Sequence, residues 1–195
     1  MLADLTLIDR DFQQTTGSCV LASYAIVANY FTQIPVSEFF AAYCRHFSIF
    51  SPAFDSEHTY ADHFSREINK SPDSNGYKLI LSLHNNSSDN VFAEARRLFS
   101  AKFYLNAAYD FCELEESLEC SESLLNLTYG RMVQTGALFN NSIRSQLICH
   151  SVTIFNHAGS LFIRDSDRCV NTNLYSINFL HQLAETRDAV LYTKI

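Results

Sequence analysis

Polar and apolar positions alternate in two different rhythms along the chain, and the change comes near residue 135. From Cys19 to Gln33, "CVLASYAIVANYFTQ", apolar residues lie all round a helical wheel, which predicts a buried helix. "VSEFFAAYCRHF" (36–47) follows Pro35 and predicts a second helix with Ser37 as its cap. The more polar stretch 56–70 predicts a third, ending before the "SPDSNG" loop at 71–76. "YKLILSL" (77–83) reads as a short strand, and "SSDNVFAEARRLFSAKFYL" (87–105) as a helix with its leading Ser and Asp residues as caps. The acidic "CELEESLECSE" (112–122) leads into "SLLNLTYGRMVQT", read as a further helix. Beyond it, "GALFNNS" (136–142), "CHSVTIFN" (149–156), "SLFIRDS" (160–166) and "AVLYTK" (189–194) are short, apolar and partly alternating, as strands are. "NHAGS" (156–160) carries the glycine of a hairpin turn.

Helices first and a sheet afterwards predict an α+β fold rather than a wound α/β one. A chain of 195 residues favours one domain, mainly helical over 1–125 and mainly β, as an antiparallel sheet or half-barrel, over 126–195. Composition supports a large core: 47% of the residues are hydrophobic, 16 Phe and 10 Tyr among them, which excludes a disordered chain. Fourteen Lys and Arg against 21 Asp and Glu give a net charge of -7, so nucleic acid is not an expected partner. No run of about 18 uncharged apolar residues predicts a membrane span. "MLADLTLIDRDF" lacks a basic region followed by an apolar one, so the expected location is cytoplasmic, with the six cysteines as thiols. Without C-x-x-C or H-E-x-x-H, neither a metal nor another cofactor is expected.

The candidate chemistry begins at "QQTTGSC" (13–19), where Gly17 and Ser18 lead Cys19 into the buried helix. A helix N-terminus favours an anion, and the thiolate is the reactive form of cysteine. A nucleophile needs a base, and the base an orienting group. His150 opens one strand of the expected hairpin and "RDSD" closes the other, which brings His150 and Asp165 side by side. Asp167 lies on the same face two residues on and is the alternative to Asp165. Cys149, next to His150, faces the other way and reads as core. Gln13, with Gln14 as its neighbour, can donate to an oxyanion beside the Cys19 backbone N–H.

These residues resemble the papain-like cysteine peptidases. Their pattern of Gln, three residues and Gly-Ser-Cys is matched by Gln13 to Cys19, and their strand-opening histidine by His150. An Asp in third place, and "LTYGRMVQTGALFNNS" (127–142) before the histidine, are more similar to the double-glycine leader peptidases and their bacterial relatives. Three positions depart from those patterns: Val20 stands where papains have an aromatic, Ser166 where the leader peptidases have Pro, and the chain has no Trp. The resemblance implies a papain-like fold with a cleft between helical and β parts. It implies a Cys19–His150–Asp165 triad, with Gln13 in the oxyanion hole, acting on a peptide or protein substrate. An amide or thioester acyltransferase and a non-catalytic binding module are the alternatives on the same fold.

Overall fold

A computed structural model describes residues 3–10, 12, 18–47, 76–136, 143–167, 173–183 and 186–195, with the backbone alone for 131–136 and 143–148. The expected helix at 56–70, most of "GALFNNS", and Gln13, Gln14 and Cys169 lie outside these residues. The fold is α+β. Among the described residues five α-helices accompany one six-stranded antiparallel sheet. The helices are α1 (Cys19–Thr32), α2 (Val36–His46), α3 (Gly76–Asn86), α4 (Asn90–Leu98) and α5 (Phe111–Cys120). The strands are β1 (Phe99–Tyr104), β2 (Ser123–Gly136), β3 (Ile143–His157), β4 (Ser160–Arg164), β5 (Leu174–Ile177) and β6 (Thr186–Lys194), in the order β1-β6-β2-β3-β4-β5.

Helix α1 is buried almost all round, as its unbroken apolar sequence requires, from Leu21 to Ala28 and again at Tyr30. It stops where Gln33 turns left-handed (φ 62°) and Pro35 follows two residues later. Helix α2 starts behind Pro35 itself, so Ser37 lies exposed in the first turn and does not cap it. Asp89 does cap α4, its carboxylate accepting from the Val91 N–H. The segment expected as a helix to residue 105 ends at Leu98 and continues as β1.

Two further expectations are corrected. "YKLILSL" is part of helix α3, because its buried residues, Tyr77, Ile80, Leu83 and His84, recur at helical spacing. "SLLNLTYGRMVQT" is not a helix but β2, flanked by β6 and β3 in the middle of the sheet. Leu124 packs with α1 residues on one face, while Leu125 and Leu127 pack with Leu114 and Leu118 of α5 on the other. A strand covered on both faces has no polar side to show, so it does not alternate. Each fully buried leucine there contributes about 1.5–3 kcal/mol. Thr153 of β3 fixes α1 to the sheet, donating to the Ser23 carbonyl at 3.3 Å. No single described helix is long and apolar enough to cross a membrane.

His84 is a core residue. Its Nδ1 lies 2.9 Å from the Tyr24 hydroxyl and its ring stacks on Phe99 at 4.9 Å. Burial, helped by the positive charge of Arg96, lowers it to about 4. A histidine depressed by folding stabilises the native state fully above its ordinary value near 6.5, and that contribution is lost as pH falls toward 4. His84→Phe should therefore remove about 2–3 kcal/mol of the stability lost between pH 7 and pH 4, read by urea unfolding at both. Equal losses in the two proteins would show that His84 is not the group that titrates.

Candidate active site

Cys19 is the first residue of α1, half-buried, with the fully buried Ser18 before it. Residues 9, 10 and 12, which precede it, are tied to the end of β4 and the segment beyond it. Arg164, fully buried at the end of β4, donates from Nε to the Asp9 carbonyl at 2.6 Å and from its two terminal nitrogens to the carbonyls of Phe12 and Asp165. Asn173 adds a bond from Nδ2 to the Arg10 carbonyl at 2.9 Å. Asp9, Arg10 and Phe12 are thus held in place by their carbonyls.

His150 sits on β3 opposite Tyr129 of β2, whose ring meets the imidazole edge-on at 6.1 Å. The β3–β4 hairpin, closed by Ala158 and Gly159 at positive φ (52° and 82°), sets Arg164 opposite Thr153. One residue past the strand end, Asp165 reaches His150: Nε2–H donates to Oδ1 at 2.8 Å, with both residues at most 3% exposed. The Asp167 backbone N–H donates to the same Asp165 oxygen at 2.9 Å. The Asp165 N–H is itself bonded to the Asn173 carbonyl at 2.8 Å, so the carboxylate is held from several sides.

Cys19 lies close enough to the same imidazole to favour its charged form. Burial opposes a charge on His150. The hydrogen bond to Asp165 and the proximity of Cys19 and Asp165 outweigh it and raise the ring from 6.5 to about 9. At neutral pH the imidazole is therefore held as the cation, hydrogen-bonded to the Asp165 carboxylate with Cys19 nearby. Cys44 is a contrast: burial pushes its thiol up to about 12, the state of an inert core cysteine.

In front of Cys19 lies a cavity of about 250 Å³ lined by Val20, Tyr77, Thr128, Cys149, Ser151, Arg187 and Asp188. Tyr77 is buried, its hydroxyl 2.6 Å from Ser151 Oγ and also bonded to Thr128; burial pushes that hydroxyl well above its ordinary range. Cys149 is not core. It is exposed on the cavity wall, because the face of β3 opposite His150 opens here onto the cavity. Cys112 and Cys120 are also free and exposed.

Of the residues expected from the sequence, the fold pairs His150 with Asp165 and sets Cys19 near them, and Gln13 lies outside the described residues. Sequence reasoning missed Arg164, Tyr129 and Tyr77. Arg164 left a signal, a charge at the end of the apolar "SLFI". Tyr129 and Tyr77 were hidden by the misread β2 and α3. Among the described residues no three His, Cys, Asp or Glu side chains are grouped to hold a metal ion. Compared with known proteins, the chain matches no family model, no curated protein and no solved structure.

Proposed function

We propose that this chain is a thiol hydrolase of the papain-like type that cleaves amide bonds of a peptide or protein substrate. The observation that carries this reading is the buried His150–Asp165 hydrogen bond with Cys19 beside it, at the start of a helix and bordering a cavity. With the imidazole held as the cation, the Cys19 proton already resides on His150, and the thiolate attacks the acyl carbon. The tetrahedral oxyanion is met by the Cys19 backbone N–H and, by the family resemblance alone, by Gln13. Collapse expels the amine, which leaves with the proton from His150, and a thioester remains on Cys19. Water then attacks, giving its proton to His150, and the acid is released as the thiol re-forms. Asp165 holds the ring in place throughout, and Arg164 holds Asp165.

Iodoacetamide alkylation, mapped by peptide mass at pH 6, tests the reading directly. Cys19 should react at least about 10-fold faster than the exposed Cys112 and Cys120, since an ordinary thiol titrates near about 8.5. His150→Ala should remove that advantage. A Cys19 no faster than Cys112 in the wild type would sink the proposal.

The role of Asp165 has its own readout. The ring nitrogens of His150, followed by ¹⁵N NMR, should titrate near 9 in the wild type. In Asp165→Asn the imidazolium loses its anionic partner while burial remains, so the midpoint should fall by at least about one unit. The cation is present below the midpoint, so the upper limit of activity moves to lower pH with it. An unmoved midpoint would assign the raised value to some other group.

A further inference from the structure

Thr128 of β2 stands opposite two residues of β6. Leu127 pairs with Ala189 and Tyr129 with Thr186, so Arg187 and Asp188 share the place across from it. Such a β-bulge re-aims side chains. Leu127, Tyr129 and Ala189 pack on the α5 side of the sheet, whereas Val190 and Tyr192 pack beneath α1. Unbroken alternation would put Arg187 on the α5 side with Ala189. The bulge instead brings it to the wall of the cavity in front of Cys19.

Arg187 is exposed there, and among the described residues its guanidinium makes no hydrogen bond or salt bridge. Asp188 beside it is engaged elsewhere, its Oδ1 accepting from the Asn106 N–H at 3.3 Å. The rest of the wall is largely apolar, with the hydroxyls of Tyr77, Ser151 and Thr128 as its polar points. A guanidinium presents a planar fork of donors, which a carboxylate fills with two parallel bonds. Beside apolar walls such a pair is stronger than in open water. The charge of Asp188 opposes an anion here, but it acts through space, whereas the pair on Arg187 forms at contact distance. The nearer interaction is the stronger. At about 250 Å³ the cavity is smaller than the roughly 300–1,000 Å³ that takes drug-sized ligands, which leaves room for one residue of a peptide. Cys19 lines the same cavity, so that residue adjoins the bond under attack.

We propose that Arg187 is the specificity residue of this site and binds a carboxylate on the peptide residue next to the scissile amide. This deepens the hydrolase reading, on which it rests. The carboxylate is the side chain of an aspartate or glutamate, or the free C-terminus of the peptide, since both fill the same fork. A neutral residue in that place leaves the guanidinium without a partner, and a basic one meets it with like charge.

Titration of the Cys19→Ala protein with four peptides, followed by NMR, reads the site without the chemistry. They are acetyl-Ala-Glu-Ala-amide, acetyl-Ala-Ala-Ala with a free C-terminus, acetyl-Ala-Gln-Ala-amide and acetyl-Ala-Lys-Ala-amide. At least one of the two acidic peptides should bind at least about 10-fold more tightly than the glutamine peptide, with the lysine peptide weakest. Which of the two it is identifies the source of the carboxylate. Adding Arg187→Gln should bring that peptide to within about twofold of the glutamine peptide. No binding of either acidic peptide, four affinities within about twofold, or an advantage that survives Arg187→Gln would overturn the proposal. Because the thiol is absent from this assay, the two readings fail separately. A reactive Cys19 with no preference for acidic peptides removes the specificity alone, and Arg187-dependent binding beside an inert Cys19 removes the hydrolase reading alone.

Discussion

Cys19→Ala should hydrolyse amides at least about 10⁴-fold more slowly than the wild type and unfold at the same denaturant concentration. The rate falls because Cys19 is the thiol beside the His150 imidazole. Cys149 shares the cavity, but it faces the side of β3 away from the imidazole. Stability holds because the Cys19 side chain borders the cavity, and alanine is the best helix former at the start of α1. His150→Ala should cost a similar factor, and the double variant no more than either single one, since groups that act as a unit are not additive. Retention of more than about 1% of wild-type activity by Cys19→Ala would remove it from the mechanism.

The largest expected effect on stability lies at Arg164. Its guanidinium is fully buried and supplies the carbonyls of Asp9, Phe12 and Asp165. Arg164→Met keeps much of the stem's volume and leaves three carbonyls without their donors, at a cost of about 3–5 kcal/mol. For a chain of this size that is a fall in Tm of roughly 6–20 °C. Arg164→Lys should recover only part, because an ammonium cannot span three acceptors with the geometry of a planar fork. A change in Tm under about 2 °C for Arg164→Met would mean that the N-terminal segment is held by other contacts.

The legible parts of the chain are those whose local pattern has one structural solution. The apolar "CVLASYAIVANYFTQ" can only be a buried helix, and the "NHAGS" turn sets the register that puts Asp165 beside His150. Both are short-range facts. The misread parts depend on what covers them: "SLLNLTYG" loses its alternation because helices pack on both faces of β2. Seven residues of "YKLILSL" are too few to separate one period from the other. Errors then propagate to the site. With β2 read as a helix, neither Tyr129 beside His150 nor the bulge at Arg187 and Asp188 could be foreseen, since both are relations between paired strands. Cys149 shows a different limit. Alternation gives its face correctly but does not say that this face borders a cavity.

The position of β6 bears on how the protein is made. It is last in sequence among the described strands, yet it lies inside the sheet, and β1 is held to the rest through β6. A ribosome delivers Cys19 early, His150 and Asp165 later, and the strand that carries Arg187 and Asp188 after both. Until β6 has emerged, β2 has a bare hydrogen-bonding edge and the cavity lacks one wall. The cavity wall in front of Cys19 is therefore formed only once β6 has joined β2.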